Sequence, residues 1–362
     1  MSNTEPVPLE TLCRSVGGEQ VELLSPRAVP LGGPRGMTVR RTLPQRRRSL
    51  VGAWCFLDSY GPDDVTVTDG MNVARHPHSG LATVSWLFTG SIDHLDSAGN
   101  RARVRPGEMS LMLAGRGITH QEYSTPETTV LHGAQLWYAL PDATREQEHD
   151  FAHYAPEPVR GPGWSLRVFL GSLAGSTSPV DPRTTPLLGA EVHLEPGAAW
   201  DVELDPSFEY AVLVDSGAVR ADGVDLPVDH LAYFPPGRQT LTLTTTHDGG
   251  PARLLLLGGE PFGEDIVLWW NFVGRSHEEI AAYRAIYQHE IGAGARDGAR
   301  DGAGDDDERT PPAEPLPGVD PAVLAAAGFS SSDAPRFGPY PDDQPAALPA
   351  PPLPNARLRP RG

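Results

Sequence analysis

Two short pairs, His76-Pro77-His78 and His120-Gln121-Glu122, constrain this chain more than any other feature. Successive side chains on a β-strand point to opposite faces, so residues two apart share a face. If both pairs lie on strands, four ligating side chains can converge on one point. The sequence between them suits that arrangement. Thr83 to Phe88 reads as a buried strand, and Asp96-Ser97-Ala98-Gly99-Asn100, Arg105-Pro106-Gly107 and Ala114-Gly115-Arg116-Gly117 read as turns. A meander folded at those corners carries the second pair back onto the first. Imidazole nitrogen and carboxylate oxygen are ligands for Fe(II), and also for Mn, Ni, Cu or Zn. Three His and one Glu leave positions open on a six-coordinate ion, where substrate or dioxygen binds. The competing arrangement is a closed tetrahedral site around structural zinc.

Length and charge set the frame for this site. A chain of 362 residues is long enough for two domains with cores of their own. Its formal net charge of −18 disfavours direct binding to nucleic acid, whose phosphates attract basic faces. The local cluster Arg40, Arg41, Arg46, Arg47, Arg48 reads as a solvated strand or loop. Cys13 and Cys55 are the only cysteines, too few for a disulfide framework, which points to a reducing, cytoplasmic location. Cys55 sits in an apolar run and reads as core. The first residues carry no signal-peptide pattern, and no apolar run approaches the length of a membrane span.

In chain order, residues 1–34 form an N-terminal extension of mixed Pro, Gly and short apolar pieces. Val51 to Leu57 reads as a strand and Asp58 to Asp64 as a loop. Asp142 to His153, with Glu146, Glu148, His149 and His153, reads as a polar loop or short helix, because its spacing fits no common metal site. A second β-domain of similar rhythm begins near Trp164, with runs at Glu191 to Leu194, Phe208 to Val214, Leu231 to Phe234, Thr240 to Thr245 and Arg253 to Leu257. It holds no His-x-His pair, and its histidines His193, His230 and His247 are scattered, which predicts a domain without metal. Ser276 with Glu279 forms a capping box that starts a helix, and Ile280, Tyr283 and Tyr287 share its packed face. From residue 293 the chain is rich in Gly, Asp and Pro, which predicts a largely disordered tail. Asp320-Pro321 to Gly328 stands out there as a short capped helix. A second reading of the tail docks it on the core through Phe337, Tyr340, Leu353 and Leu358.

The stretch His76-Pro77-His78-Ser79-Gly80, then Phe88-Thr89-Gly90, Asp96 to Asn100, Arg105-Pro106-Gly107 and Ala114 through Glu122 closely resembles the pirin family of bicupins. Phe56-Leu57-Asp58, Leu131-His132-Gly133-Ala134-Gln135-Leu136-Trp137 and Leu140-Pro141 extend the likeness. The resemblance implies an all-β fold of two cupin domains, β-sandwich or jelly-roll barrels, over 35–160 and 161–292. The first holds the metal; the second is a scaffold ending in a helix. It also implies one divalent ion, iron above all, held by His76, His78, His120 and Glu122. Many pirins have Arg after the second His and an acidic residue where Ala82 stands here, so the carboxylate must come from Glu122. The activity implied is that of a quercetin 2,3-dioxygenase, with a small aromatic substrate, dioxygen, and Glu122 as ligand or as acceptor of the substrate hydroxyl proton. The competing implication is a non-enzymatic, redox-responsive regulator that binds a transcription factor or metabolic enzyme as protein partner.

Overall fold

Two antiparallel sandwiches of the same plan account for nearly all the strands in this computed structural model, which describes residues 11–13, 21–31, 37–293, 319–330, 334–339 and 344–358. In the first, a seven-stranded sheet runs Asp150–Tyr154, Met109–Leu113, Leu81–Thr89, Val130–Ala139, Trp54–Asp64, Thr38–Leu43, Arg27–Pro30. Its partner is a four-stranded sheet ordered Asn72–His78, Ile118–Ser124, Ile92–Asp96, Arg101–Val104. The second sandwich repeats the plan, with Trp164–Leu170, Leu187–Leu194, Ala252–Gly259 and Glu209–Ser216 at the centre of its seven strands and a four-stranded partner built on Ala199–Glu203 and Thr240–Thr245. The described chain is all-β in class, two sandwiches with few helices.

The two sandwiches share one hydrophobic core. Trp54, Trp86 and Trp137 of the first pack in the same cluster as Phe169, Leu255 and Leu257 of the second. Indole nitrogens buried at such a seam need acceptors. Trp86 Nε1 donates to Glu191 Oε2 at 3.1 Å, and Trp54 Nε1 to the Leu188 carbonyl at 3.0 Å. His132 reaches across to Asp215 at 2.6 Å, where Arg253 also binds at 2.7 Å. The N-terminal segment ties the halves together. Arg27–Pro30 pairs within the first sandwich, while Glu22–Leu24 pairs with Leu231–Phe234 in the second.

Asp58 to Asp64 is strand, which corrects the loop expected there. Polar side chains and Gly61-Pro62 suggest a break, yet Trp54–Asp64 continues along Val130–Ala139, with the pairing shifting register where Gly61-Pro62 meets His132. Gly61 makes this work: it sits at φ +78°, and a Cβ there would lie 2.1 Å from the Leu131 carbonyl oxygen. Only glycine can bring the two backbones that close.

The helix His277–Glu290 begins at Ser276, whose hydroxyl accepts from the Glu279 amide at 3.2 Å. Glu279 does not complete the reciprocal half of a capping box. Its carboxylate accepts instead from the Arg275 amide at 2.7 Å and pairs with Arg145 at 2.9 Å. Ile280, Tyr283 and Tyr287 are buried, as a packed face requires.

The described pieces of the tail lie against the body of the protein. Asp320 caps Pro321–Ala326, whose Leu324 is buried against the long helix. Phe337 and Leu358 are buried in the same cluster, with Leu353 at its margin; Tyr340 lies outside the described residues. A few large side chains set among Gly and Pro carry this docking, as the second reading of the tail expects. The Leu348 amide donates to the Arg75 carbonyl at 2.7 Å, and Tyr287 donates to the Leu348 carbonyl at 2.6 Å. Phe337→Ala is expected to cost about 3 kcal/mol of local stability, so that the Leu348 amide exchanges its hydrogen about 100-fold faster. Unchanged exchange would show that the ring does not anchor the strap.

Candidate metal centre

The inner face of the small sheet in the first sandwich is polar and buried. Antiparallel pairing sets His120 opposite His76 and Ile118 opposite His78, so the first three imidazoles meet side by side. Ring centroids of His76 and His120 lie 4.3 Å apart, and those of His78 and His120 4.9 Å apart. A bulge in the pairing between His120 and Glu122 sets Glu122 opposite Val73. On its other side the same strand pairs His120 with Asp96 and Glu122 with His94. Three pairs spaced by two residues, on three neighbouring strands, therefore face the interior together, and all six residues are buried.

Two overlapping sets could hold an ion. Ligand atoms of His76, His78 and His120 lie within 4.8 Å of one another, as do those of His94, His120 and Glu122. His120 belongs to both. Its Nε2 faces His78 Nε2 at 3.1 Å, and its Nδ1 faces His94 Nδ1 at 3.3 Å. The carboxylate of Glu122 accepts from the Ser85 hydroxyl at 3.0 Å, and Ser85 lies 2.9 Å from Gln135 Oε1. One hydroxyl carries one proton, so donation to Glu122 is best supported when the Gln135 amide turns its NH2 to Ser85.

These residues fit a divalent cation. His76 places Nδ1 2.9 Å from the Ala74 carbonyl, which puts its proton there and leaves Nε2 a bare lone pair. That Nε2 is buried without a hydrogen-bond partner. A buried, unpartnered lone pair is costly unless something electropositive sits before it. Burial, the largest influence, pushes the pKa of His76 down to about 3, aided by the nearby His94. Burial likewise lowers His78 and His120, and their mutual crowding with His76 adds to it. Neutral imidazoles are the form that ligates metal.

The Pirin family model matches residues 36–138, and the Pirin C-terminal cupin domain matches residues 189–291. A Pseudomonas aeruginosa protein named "Putative quercetin 2,3-dioxygenase" is 41% identical over 269 residues, covering 74% of this chain and 84% of its own. This chain belongs to the pirin family. A pirin-like protein of Caulobacter vibrioides is 34% identical over 262 residues, covering 69% of this chain and 88% of its own. Among solved structures, a quercetin 2,3-dioxygenase from Acinetobacter baumannii matches with a TM-score of 0.75 at 31% identity, covering 94% of this chain and 98% of its own.

Where this pirin departs from the pattern of many others, the structure gives each residue a plain role. Ser79 is buried and donates to the Arg116 carbonyl at 2.8 Å, and Ala82 is fully buried in the Leu81–Thr89 strand. Sequence reasoning missed His94 and Asp96. Their spacing of two, beside a turn, is the same signal that singles out the other pairs. Glu146 and His153 stand apart from the centre: Glu146 pairs with Arg336, and His153 faces Glu108 at 3.1 Å. Cys55 is buried, its thiol 3.6 Å from the Trp137 carbonyl.

The depressed imidazoles link stability to pH. Below the ordinary histidine value of about 6.5 the unfolded chain binds protons that the folded chain refuses, so stability falls as pH falls, by up to about 1.4 kcal/mol per unit for each such group. Metal-free protein is expected to lose thermal stability between neutral pH and pH 5, and His76→Asn to flatten that slope. A melting temperature indifferent to pH over this range would contradict neutral, buried imidazoles.

Proposed function

We propose that this pirin is a metal-dependent dioxygenase of the quercetin 2,3-dioxygenase type, opening the ring of a flavonol or similar small aromatic with dioxygen. The observation that carries the reading is the convergence of three buried imidazoles in a chain 41% identical to the Pseudomonas relative named for that activity. His76, His78, His120 and Glu122 would hold one Fe(II). When bound, the ion would supply a template for substrate and dioxygen and a path for electrons between them. The rest falls to the chain. Ala74 fixes the His76 ring, and Ser85 orients Glu122 through the 3.0 Å hydrogen bond. Held by Ser85, the Glu122 carboxylate would bind the metal or accept the proton of a substrate hydroxyl. Trp137 packs edge-on to His78 with centroids 4.9 Å apart, restraining the ring and excluding water behind it.

The test is oxygen uptake by Fe(II)-loaded protein given quercetin. Activity is expected, and His76→Ala or His120→Ala should reduce it by more than the roughly 100-fold typical of lost outer-sphere partners. No uptake with Fe(II), Mn, Ni or Cu would end the enzymatic reading.

A further inference from the structure

We propose that Asp96 and His94 form a positioning relay behind His120, which fixes the imidazole tautomer that presents Nε2 to the metal. The inference rests on the ligand assignment above for His120 and extends it to two residues that nothing else has given a role. A neutral imidazole carries one N–H. His120 turns Nε2 toward His78 and Nδ1 toward His94, at 3.1 and 3.3 Å. If Nε2 is to be the bare ligand atom, the proton belongs on Nδ1 and must be donated to His94 Nδ1. His94 then carries its own proton on Nε2, which lies 3.4 Å from Asp96 Oδ2.

The other assignment fails on electrostatics. With the His94 proton on Nδ1, the lone pair of Nε2 would confront a carboxylate, acceptor against acceptor. Asp96 is also held firmly in place as an acceptor. Its Oδ1 receives the amides of Ala98 at 3.0 Å and Asn100 at 2.9 Å, and its Oδ2 receives Asn100 Nδ2 at 2.9 Å. Phe151 stacks on the His94 ring with centroids 5.0 Å apart and an interplanar angle of 25°, fixing its plane. Turn, strand pairing and stacking together build a carboxylate–imidazole–imidazole chain that ends at a ligand nitrogen. Such outer partners fix ring orientation and raise ligand basicity. Direct ligation by His94 Nδ1 is the rival use of the same geometry. It would require His120 to bind through Nδ1, away from His78.

Two measurements judge the relay. Long-range proton–nitrogen NMR of metal-free protein should show His120 protonated at Nδ1 and His94 at Nε2. Cobalt(II) binding, read by chelator competition and by its visible absorption, should weaken 10- to 100-fold in Asp96→Asn and His94→Phe. Exchanging a carboxylate for an amide behind a histidine installs the wrong tautomer while keeping the shape, so Asp96→Asn should also move the His120 proton to Nε2. His120 protonated at Nε2 in the unsubstituted protein would overturn the relay, needing no variant to fold. So would unchanged cobalt affinity in folded His94→Phe, or a loss as complete as in His76→Ala, which would make His94 a ligand. Cobalt binding indifferent to His76→Ala would instead sink the ligand assignment, and the NMR tautomers would still decide the relay.

Discussion

A sheet face packed with imidazoles and carboxylates must satisfy every one of them away from water, and this obligation organises the first sandwich. Each buried polar atom left unmatched costs on the order of 1–3 kcal/mol. The face bearing His76, His78, His94, Asp96, His120 and Glu122 meets most of that demand internally. Asp96 is satisfied by its own turn, Glu122 by Ser85, and His76 Nδ1 by Ala74. Among these six residues the atoms left unmatched are His76 Nε2 and His78 Nδ1, while the Nε2 atoms of His78 and His120 face each other at 3.1 Å. A buried face that gathers three imidazoles with so few other partners suits a cation.

The second sandwich repeats the architecture without that face. Its four-stranded sheet turns Trp200, Val202, Leu241 and Leu243 inward, and these join an ordinary apolar core. Both sets of metal-capable side chains found among the described residues lie in the first sandwich. The contribution of the second half is mechanical. Its central strands complete the core that backs the Leu81–Thr89 and Val130–Ala139 strands, and Glu191 fixes the Trp86 indole across the seam. Trp137, which leans on His78, is seated in that shared core.

The sequence revealed the centre where strand periodicity did the work and concealed it where a residue had a second, louder meaning. His76, His78 and His120 stand out because spacing by two has one reading on a strand. Asp96 was legible only as a turn residue, and it is one, binding Ala98 and Asn100. That its other oxygen looks back at His94 follows from their spacing of two on one strand, but that the pair meets His120 depends on pairing with a strand distant in sequence, which local spacing does not encode. Asp58 to Asp64 hid a strand behind turn-forming letters, because the partner that justifies Gly61 is Leu131, seventy positions away. The tail's anchors Phe337 and Leu358 were legible as large apolar side chains, but where they dock, in the groove beside Tyr287, depends on contacts distant in sequence.

That groove matters to the centre because the ligand strands have two faces. Alternation that turns His120 and Glu122 inward turns Thr119 and Gln121 outward, where a four-stranded sheet normally meets solvent. Here both are buried. Thr119 Oγ1 donates to the Phe337 carbonyl at 3.4 Å, and Gln121 Nε2 to Gln344 Oε1 at 2.7 Å. The Arg75 carbonyl, between His76 and Ala74, accepts from Leu348. Strand register is weakly specified when one face is free, and a slip of one residue exchanges the faces. Covering the outer face makes such a slip bury the wrong set on both sides at once. The C-terminal strap thus belongs to the same device as the imidazoles: it holds from outside the alternation that the centre requires within.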